Sequence, residues 1–313
     1  EYLSKVLKDI KQRVNDDMDE QDESMLKLDI HKNIPDLLLD NTDRNRTSPF
    51  AFTGNKFEFR AVGSTANCAS PMTVLNTIMA QTLKNFKADV DGMIEKGEKK
   101  EIPIMQVIND YIVSSEKILF EGDGYSEAWE QEAEKRGLPN LKTTPLALDA
   151  MVNEKNTKLF IDNGIYSHSE LHARHEIELE KYIKKVQIEG RIMGEMATRM
   201  ILPPAIRYQN LLAKNIKGLK EAGLTEEAYA NQKQILDKIS EHINKASDLV
   251  EQMIEARKKA NAIEDTRDKA IAYESEVKAK FFDQIRYHAD KLELLVDDKE
   301  WYLPKYRELL FLR

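Results

Sequence analysis

Lys56, Phe57, Glu58, Phe59 and Arg60 alternate charge with aromatic ring. They directly follow a loop that carries Arg44 and Arg46 and is held by Pro49 and Gly54. In a strand, successive side chains point to opposite faces, so Lys56, Glu58 and Arg60 share one face and the two phenylalanines the other. A carboxylate set among cations is what phosphoryl transfer requires. The carboxylate holds a divalent metal, and guanidinium forks neutralise the charge spread over phosphate oxygens. A solvated strand with alternating charges has the same pattern, and the residues alone leave both readings open. The upstream arginines and the small, turn-rich "GSTANCASP" that follows weigh toward chemistry.

Other candidates are weaker. "HSELHARH" spaces His168, His172 and His175 at i, i+4 and i+7, enough for three zinc ligands on one helical face. Against that, His168 stands at the helix start, and no acidic or thiol fourth ligand accompanies the three. An exposed polar first turn is the better reading. His288 lies on an apolar stripe as a satisfied core histidine, and Met193, Met196 and Met200 read as core or interface filling. Cys68 reads as a small buried residue. No Gly-rich phosphate loop of the Walker or dinucleotide type occurs, so any nucleotide would be held through cations and metal.

The elements that must position these residues are mostly helices. Residues 1–17 have helical apolar spacing, followed by the acidic, loop-like "NDDMDEQDES". A short strand is expected near 56–61, then a helix from Met72 to about Lys96 with Val74, Leu75, Ile78, Met79, Leu83, Phe86 and Val90 as its seam. Helices follow near 103–118 and 126–136, linked by "FEGDGYS" and "RGLPNLKTTP". Ser167 and Glu170 form a capping box after the Asn163–Gly164 turn, opening a long helix that Pro203–Pro204 should kink or break. Two more long helices fit the proline-free run from Ala205 to Trp301. Their seams are Leu236, Ile239, Ile243, Ala246, Val250, Met253 and Val277, Phe281, Ile285, His288, Leu292, Leu295. Seams of this kind bury against one another in antiparallel bundles. The expected fold is mostly α with a small β element.

Composition bounds the function. The chain has 313 residues, 41% apolar and 33% charged, which supplies a packed core. A net charge of −8 offers no global positive field for a phosphate backbone, so nucleic acid is not an expected partner. No apolar run approaches the roughly 20 residues of a membrane span. A single cysteine fits a reducing compartment and a soluble, cytoplasmic protein. The chain opens on Glu1 rather than Met, as a piece of a longer protein would.

The run "DNTDRNRTSPFAFTGNKFEFRAVGSTANCASPMTVLN" resembles the carboxy-terminal part of a glutamine synthetase catalytic domain, of the type III family. The order of an Asn-Arg loop, a strand with Glu and Arg, and a small-residue stretch appears here as Asn45-Arg46, Phe57-Glu58-Phe59-Arg60 and the run ending in Ser70-Pro71. "FEGDGYSEAWEQEAEKRGLPNLKT" and the closing "WYLPKYRELLFLR" resemble the helical carboxy-terminal extension of that family. The resemblance implies a catalytic-domain portion over 1–100 and an extension over 101–313. It also implies ATP-driven condensation of glutamate with ammonia through a γ-glutamyl phosphate.

By the same resemblance, Glu58 ligates the Mg²⁺ or Mn²⁺ that bridges the ATP phosphates. Arg60 contacts glutamate and the transferring phosphoryl group, Arg46 stabilises the γ-phosphate, and Lys56 lies near the nucleotide. Ala51 departs from the pattern, since many members outside type III carry a second loop arginine there. The other metal-binding residues and the β-grasp domain would precede residue 1, so the isolated chain is expected to be inactive. Family members form dodecamers of two hexameric rings, which implies homo-oligomerisation. The alternative keeps the same residues without chemistry, as a helical oligomerisation and assembly module.

Overall fold

The computed structural model describes residues 5–12, 50–52, 57–59, 66–97, 101–120, 124 and 126–310, the strand residues in their backbone only. They fall into two compact units, one of 1–140 with 158–165 and one of 141–157 with 166–313. No described helix is long and apolar enough to cross a membrane.

In the first unit, strands β1 (Phe50–Phe52) and β2 (Phe57–Phe59) pair antiparallel, with Phe50 opposite Phe59, Ala51 opposite Glu58 and Phe52 opposite Phe57. Helix α1 spans Ala69–Ile94, α2 Glu101–Ser115 and α3 Glu127–Lys135. Val90, Met105, Val107, Ala133 and Phe160 are buried. Phe86 meets Tyr111 edge-to-face at 6.0 Å, joining α1 to α2. The expected seam of α1 is only partly used, because Val74, Ile78, Met79 and Leu83 are exposed. Cys68 is also exposed, against its reading as a buried residue. It occupies the N-cap of α1, a surface helix end where Asn67 Oδ1 accepts the Ala69 N–H.

The second unit starts with two short helices that apolar spacing did not reveal, α4 (Thr144–Asp149) and the first turn of α5 (Glu154–Asp162). The one sequence signal for α4 is Pro145, which is pre-shaped for a first helical turn. Helix α6, His168–Met196, opens with the expected capping box. The Glu170 carboxylate accepts the Ser167 N–H at 2.8 Å, and Ser167 Oγ accepts the Glu170 N–H at 3.3 Å.

Pro203–Pro204 does not end this helical path. The chain widens into a π turn, Ala197–Ile201, where the Leu202 N–H bonds to the Ala197 carbonyl. Helix α7 (Leu202–Glu221) then places both prolines in its first turn, where backbone N–H groups lack intrahelical acceptors in any case.

Helix α8 spans Ala230–Asn261. A third pass joins α9 (Thr266–Ala272), a π segment (Tyr273–Phe282) and α10 (Asp283–Leu295), and the short α11 (Tyr306–Leu309) follows. Short connections at 222–229 and 262–265 return the chain, so consecutive passes run antiparallel.

Two apolar clusters hold the bundle. Leu179, Val186, Val250, Met253, Tyr273, Val277 and Ile285 form one, and Ala205, Leu212, Ile239, Ala246, Leu292 and Trp301 are in the other. Each fully buried aliphatic side chain contributes about 1.5–3 kcal/mol. Buried Gly190 and Gly194, one turn apart on α6, let α8 side chains approach closely. A Cβ at Gly194 would meet Met253 Cε at 3.5 Å, and one at Gly190 would meet Arg257 Cδ at 3.3 Å.

Candidate functional site

Glu58 is the central residue of β2, and the ladder sets it opposite Ala51. The departure from the arginine-bearing pattern therefore falls directly across from the candidate metal ligand. Glu58 stands between Phe57 and Phe59 in this three-residue strand. Arg46, Lys56 and Arg60 lie outside the described residues, as does the side chain of Glu58. Among the described residues, no three His, Cys, Asp or Glu side chains gather closely enough to hold a metal ion.

The three-histidine constellation separates into two parts. His168 and His172 lie ring to ring at 4.3 Å between centroids. His175 Nε2 turns instead to Asp149 Oδ1, 3.5 Å away. Asp149 also accepts Arg267 Nε at 2.9 and 3.0 Å, and this set ties α4, α6 and α9 together. The Arg267 guanidinium, with His175 as a smaller contributor, holds the Asp149 carboxyl below its ordinary value.

His288 has the core position read from sequence, with a partner that the sequence did not reveal. Its Nδ1 lies 2.9 Å from His242 Nδ1, so one ring donates and the other accepts. Burial pushes both imidazoles below their ordinary value, and on His288 the His242 charge adds to it. The pair links α8 to α10 across 46 residues, and no local spacing carries such a signal. Elsewhere, Arg207 donates from Nε to Glu300 at 2.8 Å and stacks over the Tyr302 ring at 4.9 Å, fixing the chain after α10.

The architecture defines a helical domain of long antiparallel passes, in a chain whose one described sheet is a two-stranded hairpin carrying a single candidate carboxylate. Residues 103–220 match the family model of the glutamine synthetase C-terminal domain. A glutamine synthetase of Bacteroides fragilis is 47% identical over 96% of this chain and 42% of its own length. A type-3 glutamine synthetase of Dictyostelium discoideum is 36% identical over 89% of the chain and 38% of its own length. A glutamine synthetase of Butyrivibrio fibrisolvens is 34% identical over 87% and 38%. The chain is a member of the glutamine synthetase family, and it spans about two-fifths of the length of these relatives.

Proposed function

We propose that this chain is the carboxy-terminal portion of a type III glutamine synthetase, a glutamate–ammonia ligase working through a γ-glutamyl phosphate. The carrying observation is the 47% identity to a glutamine synthetase across 96% of the chain. In this reading residues 1–100 complete the catalytic domain and 101–313 form a helical extension. The start of the C-terminal-domain match at residue 103 supports that division.

Glu58 would hold Mg²⁺ or Mn²⁺, for which a carboxylate is a fitting hard-oxygen donor. When bound, the ion neutralises phosphate charge on ATP. Arg46 and Lys56 bind the nucleotide phosphates, and Arg60 grips glutamate and the transferring phosphoryl group through its fork. Ammonia is the third substrate. The exposed stripe of Val74, Ile78, Met79 and Leu83 on α1 supports a further protein face packed there, as a longer enzyme would supply. As in the family it resembles, the whole protein assembles as a double-ringed dodecamer in this reading. A cytoplasmic enzyme fits the lack of a membrane-spanning helix among the described residues.

One carboxylate is a poor magnesium site alone, since Mg²⁺ keeps its water unless further carboxylates or phosphates replace it. The isolated chain is therefore inactive and takes up Mg²⁺ or Mn²⁺ negligibly. Co-expression with the amino-terminal portion of the Bacteroides fragilis relative should restore glutamine formation. Self-association without nucleotide, and no activity in that mixture, would instead favour the assembly-module reading.

A further inference from the structure

A groove of about 600 Å³, within the range of small-molecule sites, lies on the bundle between α6, α10 and the chain after α10. Met193 and Met196 of α6, Ile285 and Ala289 of α10, and Leu303 beyond it form apolar walls. Methionine side chains adapt to varied ligand shapes. Both π windings border the groove, through Ala197 and Ile201 of the first and Phe282 of the second. Such windings are uncommon and recur at functional sites.

Two polar features define the occupant. Trp301 lines the groove at 9% exposure, and its Nε1–H is buried with no hydrogen-bond partner. A buried indole N–H usually finds an acceptor, which leaves this donor for a ligand oxygen. The charge on the walls is acidic, with Glu189, Asp290 and Glu293 against Arg286. Arg286 reaches Asp290 at 3.6 Å, and Lys185 reaches Glu189 only at 4.0 Å. The surplus of carboxylates attracts a cation and repels an anion.

We propose that this groove binds an amphipathic organic amine. Its ammonium group faces the carboxylates, its apolar or aromatic body lies against the methionines and Phe282, and an oxygen accepts from Trp301. The site lies wholly in the second unit. A ligand there joins α6 to α10 and to the chain after it, and stabilises the bundle by linkage.

The test uses three matched probes at neutral pH: 4-phenoxybutylamine, 4-phenoxybutanol and 4-phenoxybutyrate. The chain has two tryptophans, so Trp129→Phe leaves Trp301 as the sole indole reporter. Binding is read from Trp301 emission in that variant and from the melting temperature of the unaltered chain. The amine should bind about two- to fivefold tighter than the alcohol, the range of one exposed ion pair, and the butyrate should bind weakest. Glu189→Gln, an exposed change, should remove most of the amine's advantage and leave the alcohol unchanged. Ile192→Lys sets a cation on a wall position that is 51% exposed and should abolish amine binding. No saturable response to the amine in either reading, equal affinity for amine and alcohol, tighter binding of the butyrate, or undiminished amine binding in Ile192→Lys would each overturn the proposal.

Discussion

Glu58 and Arg60 stand two residues apart, and their types carry different demands. A carboxylate is replaceable as a charge but not as a metal donor. An arginine acting as a fork is not replaceable by a point-like ammonium. In the complete enzyme, Arg60→Lys should therefore lower turnover by about 10²–10³, the usual loss for one electrostatic contact in the transition state. Near wild-type turnover would return the stretch to a solvated strand. The His242–His288 pair makes a second residue-scale prediction. Both rings are held neutral by burial, with Glu241, Lys245 and Lys291 as the charged groups acting on one or both. The unfolded chain then binds protons more readily than the folded one below the ordinary histidine value of 6.5. Stability should fall as pH drops through that value, and His242→Gln should flatten the slope of melting temperature against pH. An unchanged slope would assign the acid loss to other groups. The sequence showed His288 as a core residue because its stripe is local. It hid His242, Asp149 and Arg267 as partners because those contacts join different helices.

Features written within one turn of chain were legible at the scale of elements, and features set by packing were not. The capping box at Ser167 was readable because both of its hydrogen bonds close within three residues. The π segments at Ala197–Ile201 and Tyr273–Phe282 were hidden, since apolar spacings of three and four fit α and π windings alike. The prolines after the first π turn invited the expectation of a break, which the widened turn avoids. Gly190 and Gly194 give a paired test of helix packing. Alanine gains about 0.5–1 kcal/mol of helix propensity over glycine. At Gly194 the added methyl meets Met253 and Val250 at ordinary contact distances of 3.5 and 3.7 Å. At Gly190 it presses on Arg257 Cδ at 3.3 Å and meets the Phe282 ring at 3.5 Å. Gly194→Ala should raise the melting temperature, and Gly190→Ala should lie below it. The reverse order would mean that Arg257 yields easily.

For the whole molecule, the mostly helical plan was legible because periodicity runs through nearly every segment after residue 100. Family membership was legible most specifically in the run around the strand, and also in the stretches at 120–143 and 301–313. The exposed face of α1 was not foreseen, because periodicity says which residues share a face and not what covers it. With the proposed chemistry on a strand in one unit and the bundle in the other, the two should be separable by mutation. The proposed function rests most on Glu58 as a metal ligand. The most direct measurement is titration calorimetry of ATP with Mg²⁺ on the full-length enzyme and its Glu58→Gln variant, at unchanged melting temperature. Glu58→Gln should sharply weaken metal-dependent ATP binding and abolish glutamine formation, while unfolding of the bundle is unaffected. A Glu58→Gln enzyme with full activity and unaltered metal-dependent ATP affinity would contradict it.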